Sequence, residues 1–207
     1  MDGRDIKKHF KLGDRKLHDS LVEEQTKLLI TYKDIEGLPD WPLHIDLKES
    51  QIIIKDFIGR ITEELAEAEE YYRNGDFTIE AHGELAEEEL IDALHFFLNL
   101  LIVVGPSKIY PTPRIITLPE QDQDSTLTEC LSNLYYELNI ARNDLKNKPW
   151  KQSEVQTNKE SFYKHIFLAG YWFSVLFSSV LSWDDEKLWT EYMKKHTINK
   201  FRQQSNY

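Results

Sequence analysis

The chain has 207 residues, a formal net charge of −11, 41% hydrophobic residues and 12% aromatic residues. This length fits one domain, and the apolar content favours a folded core over disorder. The acidity argues against a nucleic-acid partner, and no apolar run of about 18 residues predicts a membrane span. The charged N-terminus lacks the apolar core of a secretory signal. A single cysteine, Cys130, excludes an internal disulfide and a thiolate zinc site, so we expect a buried thiol in a cytoplasmic protein.

Helical periodicity dominates the first half of the chain, where apolar residues recur every three to four positions. The predicted helices cover residues 17–34, residues 49–73 and a third segment that starts at Glu80 or Glu84 and runs to Val104. Glycine and proline follow the first and third of these segments, as expected where a helix ends.

Prolines predict a connector over residues 105–125, with one short extended piece at residues 114–117. A fourth helix is predicted to begin near Thr126. Glu129 stands three positions after this threonine, which is the spacing of a capping box. The connector therefore separates two groups of helices.

Two more helices complete the predicted fold. Residues 160–181 form an aromatic-rich helix, and the last helix starts near Asp184 and continues into the basic tail. No segment has a convincing strand pattern. The sequence therefore predicts an all-α protein, a bundle of five to six helices in which residues 1–207 form a single domain.

Two pairs of carboxylates stand on consecutive predicted helices, Glu64 with Glu67 and Glu89 with Asp92. A spacing of three places both members of a pair on one helix face. Asp92 lies in the apolar run LIDALHFFLNLLIVV, which predicts burial. A buried carboxylate is costly unless it is paired, protonated or bound to a metal ion.

These acidic residues have two interpretations. Glutamate-rich helix faces are often simply solvated, and either pair alone favours that reading. If the two helices pack together, however, four carboxylates converge and repel one another, and a divalent cation would relieve the repulsion. Oxygen ligands favour Mg²⁺, with Mn²⁺ as the alternative.

The same residues resemble the signature of the all-α nucleoside triphosphate pyrophosphatases, the group of MazG-like enzymes and dimeric dUTPases. Glu64-Leu-Ala-Glu67 and Glu89-Leu-Ile-Asp92 match its ExxE and ExxD elements. The string from Asp92 to Asn99 and the tail KHTINKFRQQSNY resemble the dimeric dUTPases and the phage dCTPase/dUTPase enzymes. The chain departs from the family at Asn206, where glycine is usual, and lacks a base-reading asparagine in the first helix, which leaves the base open.

The resemblance implies hydrolysis of a deoxynucleoside triphosphate, with dUTP first, to the monophosphate and pyrophosphate. Mg²⁺ would be held by Glu64, Glu67, Glu89 and Asp92, and Glu63 or Glu64 would accept a proton from water. Hydrolysis of dCTP or of a broader set of nucleotides is the neighbouring hypothesis. A non-catalytic helical assembly protein is the alternative of another class. The family and the apolar stripes favour a homodimer.

Substrate contacts are expected from two regions. Lys195, Asn199 and Arg202 share one face of the last helix and suit phosphates, although an ordinary basic helix end has the same pattern. Phe96 is expected to stack on the base or to belong to the core. His95 is expected to be a hydrogen-bonded core histidine or to support the metal ligands, rather than to be a ligand itself. The predicted substrate-binding residues are Gln25, Phe96, Asn99, Lys195, Asn199, Lys200 and Arg202.

Overall fold

The computed structural model describes residues 12–13, 16–74, 80–108, 110, 114–115, 125–148 and 150–204. Within these ranges the regular structure is helical, and no strand occurs in them. The helices are α1 (Leu17–Glu36), α2 (Lys48–Asn74), α3 (Glu80–Val104), α4 (Leu127–Asp144), α5 (Lys159–Val175) and α6 (Asp185–Gln204). The predicted all-α bundle is confirmed.

Glycines end two helices as the sequence predicted. Gly37 follows α1 with φ +65° and donates its N–H to the carbonyl of Lys33. Gly105 follows α3 with φ +67°, and a Cβ on it would lie only 2.7 Å from Cβ of Pro42. Glycine is therefore required at position 105 both by backbone conformation and by the close approach of the proline.

Side-chain caps begin α4 and α5. The Thr126 hydroxyl oxygen accepts a hydrogen bond from the Glu129 N–H at 3.2 Å, and this confirms the predicted start of α4. Asn158 does the same for Ser161 at 3.2 Å. Each cap satisfies a backbone donor that the helix itself leaves unpaired.

The aromatic helix predicted over residues 160–181 differs from the structure at its end. The α-helix stops at Val175 and continues as a π-helical turn, Leu176–Val180. The wider turn leads into a sharp bend, where Phe177 and Trp183 are both buried with their rings 5.6 Å apart. The 3.6-residue period of apolar residues does not predict this π-helical turn, because the turn depends on how the two rings pack in the folded protein.

The pair α2 and α3 forms the centre of the bundle and has the most extensive interhelical contact. Helices α1 and α6 lie against α3 and against each other, while α4 packs on α2 and on α5. Phe97 of α3 contacts Phe173 of α5 with ring centroids 4.8 Å apart. One connected cluster of buried apolar residues therefore includes members of every helix.

Burial agrees with the sequence at Cys130, which is fully buried and whose pKa is raised to about 11 by that burial. Of the predicted extended piece at residues 114–117, only Arg114 and Ile115 are described. The Ile115 N–H donates to Nδ1 of His18, and the Arg114 carbonyl accepts from Ser174, so these two residues join α1 to α5. Ile116 and Thr117 lie outside the described residues, as does most of the connector.

Among the described residues, no single helix has the length and apolarity to cross a membrane. The segments Lys159–Val180 and Asp185–Gln203 have the necessary length and apolarity only when they are taken together, and the two are bent by 110° relative to each other.

Candidate metal and nucleotide site

Three carboxylates meet where α2 packs on α3. Glu64 of α2 and Glu89 and Asp92 of α3 each offer one oxygen, and these oxygens lie within 4.8 Å of one another. The spacing of three on α3 places Glu89 and Asp92 on the face that α2 covers. We call these three residues the acidic cluster.

Burial and mutual repulsion make the charged state of the acidic cluster unfavourable. Burial, followed by the charges of Asp92, Glu67 and Glu89, raises the pKa of Glu64 to about 8. Burial also raises the pKa of Glu89 and that of Asp92, in the latter case against the opposing effect of Lys195. A hydrogen bond between Glu64 and Glu89 requires a proton on one of the two carboxyl groups, and the raised pKa of Glu64 favours its place on Glu64. Crowded carboxylates that resist ionisation fit a hard divalent cation, which would favour their charged forms.

Lys195 of α6 supplies a positive charge beside the acidic cluster. Its Nζ lies 2.6 Å from Oδ2 of Asp92 and 2.6 Å from Oε1 of Glu88, and the lysine side chain is 8% exposed. The two carboxylates outweigh the effect of burial and raise the pKa of Lys195, so the ammonium stays charged. The sequence predicted a phosphate contact for this lysine, and the structure places it against the carboxylates.

The two remaining predicted acidic residues lie at the edge of this arrangement. Glu67 is exposed and its oxygens lie outside the 4.8 Å group, although its charge contributes to the raised pKa of Glu64. Glu63 is exposed and does not line the neighbouring cavity. Of the two predicted proton acceptors, only Glu64 therefore belongs to the site.

A cavity of about 500 Å³ opens beside the acidic cluster, with Glu64 and Asp92 in its wall. Helices α1, α2, α3 and α6 all contribute to it. Its apolar lining consists of Leu28, Leu29, Tyr32, Ile35, Phe57 and Phe96. Its polar lining includes Gln25, Arg60, His95, Asn99, Asn199, Arg202 and Gln203. An apolar volume with a few convergent polar groups is typical of a small-molecule site.

A chain of hydrogen bonds fixes two predicted amides in the cavity wall. The Tyr192 hydroxyl donates to Oε1 of Gln25 at 2.7 Å, and Nε2 of Gln25 donates to Oδ1 of Asn99 at 2.7 Å. All three side chains are buried. The sequence predicted Gln25 and Asn99 as base contacts, and the structure brings them together with a tyrosine that the sequence analysis did not single out.

His95 stands on α3 one turn after Asp92 and one turn before Asn99. Its Nδ1 is 2.9 Å from the carbonyl oxygen of Ile91, and its ring stacks on that of Tyr192 with centroids 4.3 Å apart. Burial lowers the pKa of His95 to about 3, so the ring is neutral. The expected core position is confirmed by its burial, but the ring also lines the cavity.

The predicted residues of the last helix do not all face the cavity. Asn199 and Arg202 line it, whereas Lys200 is exposed and lies on the side of His196. The positive charge of Arg202 reaches Asp92 and acts with Lys195 to offset the effect of burial on the pKa of this carboxylate. Asn206 and Tyr207 lie outside the described residues.

Arg60 and Gln203 line the cavity, although neither was predicted as a site residue. Arg60 stands four positions before Glu64 on α2, and its guanidinium lies 5.6 Å from the ring centroid of Phe96. It also pairs with Glu36 at 3.0 Å and Asp56 at 2.9 Å. Gln203 stands four positions after Asn199 on α6. The i, i+4 rule would have placed both on the faces of recognised site residues.

The fold and the site define an all-helical protein with a carboxylate cluster at the wall of a cavity that suits a nucleotide. Residues 61–207, more than two thirds of the chain, match the family model described as dUTPase. The chain belongs to this family, the all-α dUTPases of the MazG-like superfamily. Membership of this family supports the activity of a nucleoside triphosphate pyrophosphatase. No curated protein and no solved structure matches the chain. Helix α1, which carries Gln25, precedes the matched residues.

Proposed function

We propose that this protein hydrolyses dUTP to dUMP and pyrophosphate with Mg²⁺ as cofactor. The observation that carries the proposal is the convergence of Glu64, Glu89 and Asp92 beside a cavity in a chain of the dUTPase family. The net charge of −11 would repel a bare triphosphate, so the site needs positive charge at the phosphates.

The acidic cluster is the proposed metal site, with Glu67 as a further ligand at its edge. When bound, Mg²⁺ supplies the counter-charge for the phosphates and polarises the bond that is cleaved. Mn²⁺ has the same preference for oxygen ligands and is the expected substitute.

Residues of the chain are proposed to accept the proton, to bind the phosphates and to bind the base. Glu64 accepts the proton of the attacking water, because it belongs to the acidic cluster and Glu63 does not. Arg202 contacts phosphate oxygens from α6, with Lys195 and Asn199 beside it. Phe96 stacks on the base, and the Gln25–Asn99 pair contacts its polar edge. Lys200 is proposed only as a contributor to the positive field of the tail.

The test is pyrophosphate release from a panel of dUTP, dCTP, dTTP, dATP and dGTP with Mg²⁺, with Mn²⁺ and with EDTA. We expect dUTP to be hydrolysed fastest and EDTA to abolish release. Glu64→Gln should lose activity by roughly two to four orders of magnitude, the range for loss of a general base. Glu49→Gln, an exposed change on the first turn of α2, is the matched control.

The outcomes separate the hypotheses. Faster hydrolysis of dCTP would replace the proposed substrate while retaining the reaction. Pyrophosphate release that is unaffected by Glu64→Gln would refute the assigned site. No release from any nucleotide would favour the non-catalytic helical protein.

We further propose that the protein is a cytoplasmic homodimer. Residues 1–207 of each chain form a single domain in this proposal. The connected cluster of buried apolar residues supports a single domain. Ile30 of α1 is 55% exposed and does not line the cavity, which supports a partner surface on that helix. Light scattering should give twice the chain mass, and Ile30→Lys should give the monomer mass. A monomeric wild-type protein would contradict the dimer.

A further inference from the structure

A second cavity, of about 640 Å³, lies on the other side of α2 from the acidic cluster. Residues of α2, of α4 and of the loop that follows α4 form its wall. Lys55 of α2 lines it, and Glu64 of the acidic cluster stands nine positions further along the same helix. Nine positions are about two and a half turns, so the two residues lie on opposite faces, about 13.5 Å apart along the helix axis. We call this second cavity the basic cavity.

Positive charge dominates the wall of the basic cavity. Four of the ten described residues that line it are cations, and none of these ten carries a carboxylate. Such a wall is unexpected in a chain with 36 acidic and 25 basic residues. The acidic cluster lies beyond the Debye length of about 8 Å at physiological ionic strength, so it does little to offset this charge. The four cations are Lys55, Arg142, Lys146 and Lys148.

The four cations repel one another at the cavity. Burial, followed by the charges of the three other cations, lowers the pKa of Lys55. The contact of its Nζ with the carbonyl oxygen of Asn147 is long, at 3.5 Å, and this oxygen carries no net charge. An anion in the basic cavity would relieve the repulsion and restore a charged partner to Lys55.

The loop that carries part of this wall is fixed to α2 by the buried side chain of Asn147. Its Oδ1 accepts from the Val155 N–H at 2.6 Å, and its Nδ2 donates to the carbonyl oxygens of Val155 and Asp46 at 2.8 Å each. The N–H of Asn147 itself donates to Oε1 of Gln51 of α2 at 2.8 Å. The wall is therefore organised before a ligand binds, which lowers the entropic cost of binding.

An aromatic ring completes the wall. Trp150 is 75% exposed although it lines the basic cavity, and Nζ of Lys148 lies 5.1 Å from its ring centroid. Ile52 of α2 adds an apolar surface that is 49% exposed. An indole ring offers a face on which a base can stack, while lysine and arginine bind phosphate oxygens. The volume is within the usual range for a small-molecule site.

We propose that the basic cavity is a second nucleotide site, which binds a nucleoside triphosphate through phosphate contacts with Lys55 and Arg142 and through stacking of the base on Trp150. A free nucleotide fits better than a nucleic acid, because the net charge of −11 would repel phosphates of a polymer that extend beyond the cavity. Binding here uses none of the residues assigned to hydrolysis.

Isothermal titration calorimetry with ATP in EDTA tests the phosphate contacts, because no metal ion then joins ATP to the acidic cluster. Lys55→Met combined with Arg142→Met should weaken ATP binding roughly tenfold or more, since it removes charge-assisted hydrogen bonds. Lys108→Met combined with Lys164→Met is the control. It removes the same charge at exposed lysines that do not line the basic cavity, and it should leave ATP affinity unchanged.

Urea unfolding without nucleotide shows whether the loss of binding has a structural cause. Lys55→Met combined with Arg142→Met should be at least as stable as wild type, because it removes repulsion between cations. A folded double variant that binds ATP as tightly as wild type would overturn the inference. So would a wild-type protein that does not bind ATP.

Inorganic tripolyphosphate separates the base contact from the phosphate contacts. Trp150→Leu should weaken binding of ATP roughly tenfold, through loss of stacking, and leave binding of tripolyphosphate unchanged. The double variant should weaken binding of both. An equal loss of both probes in Trp150→Leu would contradict stacking of the base on this ring.

Two further titrations distinguish the basic cavity from other sites and ligands. Arg202→Leu removes a cation from the first cavity and should leave ATP affinity in EDTA unchanged. A loss equal to that of the double variant would place ATP in the first cavity and overturn the inference. Tighter binding of a single-stranded thymidine oligonucleotide than of ATP would make the ligand a nucleic acid and also overturn it. The proposed hydrolysis can fail separately, because none of these titrations measures pyrophosphate release.

Discussion

Nζ of Lys195 lies 2.6 Å from Oδ2 of Asp92, so a lysine of α6 neutralises a carboxylate of α3 that also belongs to the acidic cluster. Both side chains are largely buried, at 8% and 17% exposure. The contact connects the last helix to the proposed metal site. It also means that a divalent cation and Lys195 share Asp92.

Removal of this ammonium should destabilise the metal-free protein. Lys195→Met leaves Asp92 buried without its counter-charge, and breaking a buried pair costs about 3 kcal/mol. Urea unfolding in EDTA measures the loss, and added Mg²⁺ should recover part of it. Lys194→Met, which removes a more exposed lysine paired with Glu191, should cost less than about 1 kcal/mol. Equal losses in the two variants would refute the special role of Lys195.

The stability of the metal-free protein should depend on Glu64 through its raised pKa. A carboxyl group with a pKa of about 8 in the folded state and 4.5 when unfolded binds more protons in the folded state between these values. Its contribution to the free energy of unfolding therefore falls as pH rises from 4.5 to 8. Glu64→Gln should remove this slope and stabilise the protein at pH 8 by roughly 1 kcal/mol, allowing for solvent screening of a half-exposed group.

The same unfolding series should distinguish Asp92 from Glu64. Asp92→Asn also relieves the repulsion between carboxylates, but it removes a charged partner of Lys195. We therefore expect a smaller increase in the free energy of unfolding than for Glu64→Gln, or a decrease. If Glu64→Gln is markedly less stable than wild type in EDTA at pH 8, the carboxylates do not repel one another as the structure indicates.

Metal binding should depend unequally on the four predicted acidic residues. Mg²⁺ at about 100 times its dissociation constant would stabilise the folded protein by about 2.7 kcal/mol. We expect Glu64→Gln, Glu89→Gln and Asp92→Asn to abolish most of this gain in thermal unfolding. Glu67→Gln should reduce it less, because its oxygens lie outside the 4.8 Å group. If Glu67→Gln loses as much of the stabilisation by Mg²⁺ as the other three variants, Glu67 is a metal ligand equal to them.

Nucleotide binding should protect the end of α6 from proteolysis. Asn199, Arg202 and Gln203 line the cavity, while Lys200 and Arg202 are exposed enough for trypsin. The non-hydrolysable α,β-imido analogue of dUTP with Mg²⁺ should slow cleavage after both basic residues, because the ligand holds this turn in place. The analogue of dGTP serves as the control. Identical cleavage with and without the dUTP analogue would count against ordering of the tail.

Features that depend on neighbours along the chain could be predicted from the residues alone. Helix periodicity, the glycines at 37 and 105 and the cap at Thr126 act within a few residues, so their pattern gives the helices and their ends. The carboxylate spacing on α3 is equally local, and it identified Glu89 and Asp92 as one face. The ExxE and ExxD elements together with the tail motif resembled the family to which the chain belongs.

The residues that lie opposite those faces depend on how the helices pack. How α2 crosses α3 brings Glu64 into the acidic cluster and leaves the oxygens of Glu67 outside the 4.8 Å group. The position of α6 puts Lys195 on Asp92 and Gln203 in the cavity, while Lys200 points elsewhere. The orientation of the His95 ring likewise depends on Ile91 and Tyr192, which contact it. Such contacts depend on the angles and distances between whole helices, which burial of the shared core sets and no local spacing encodes.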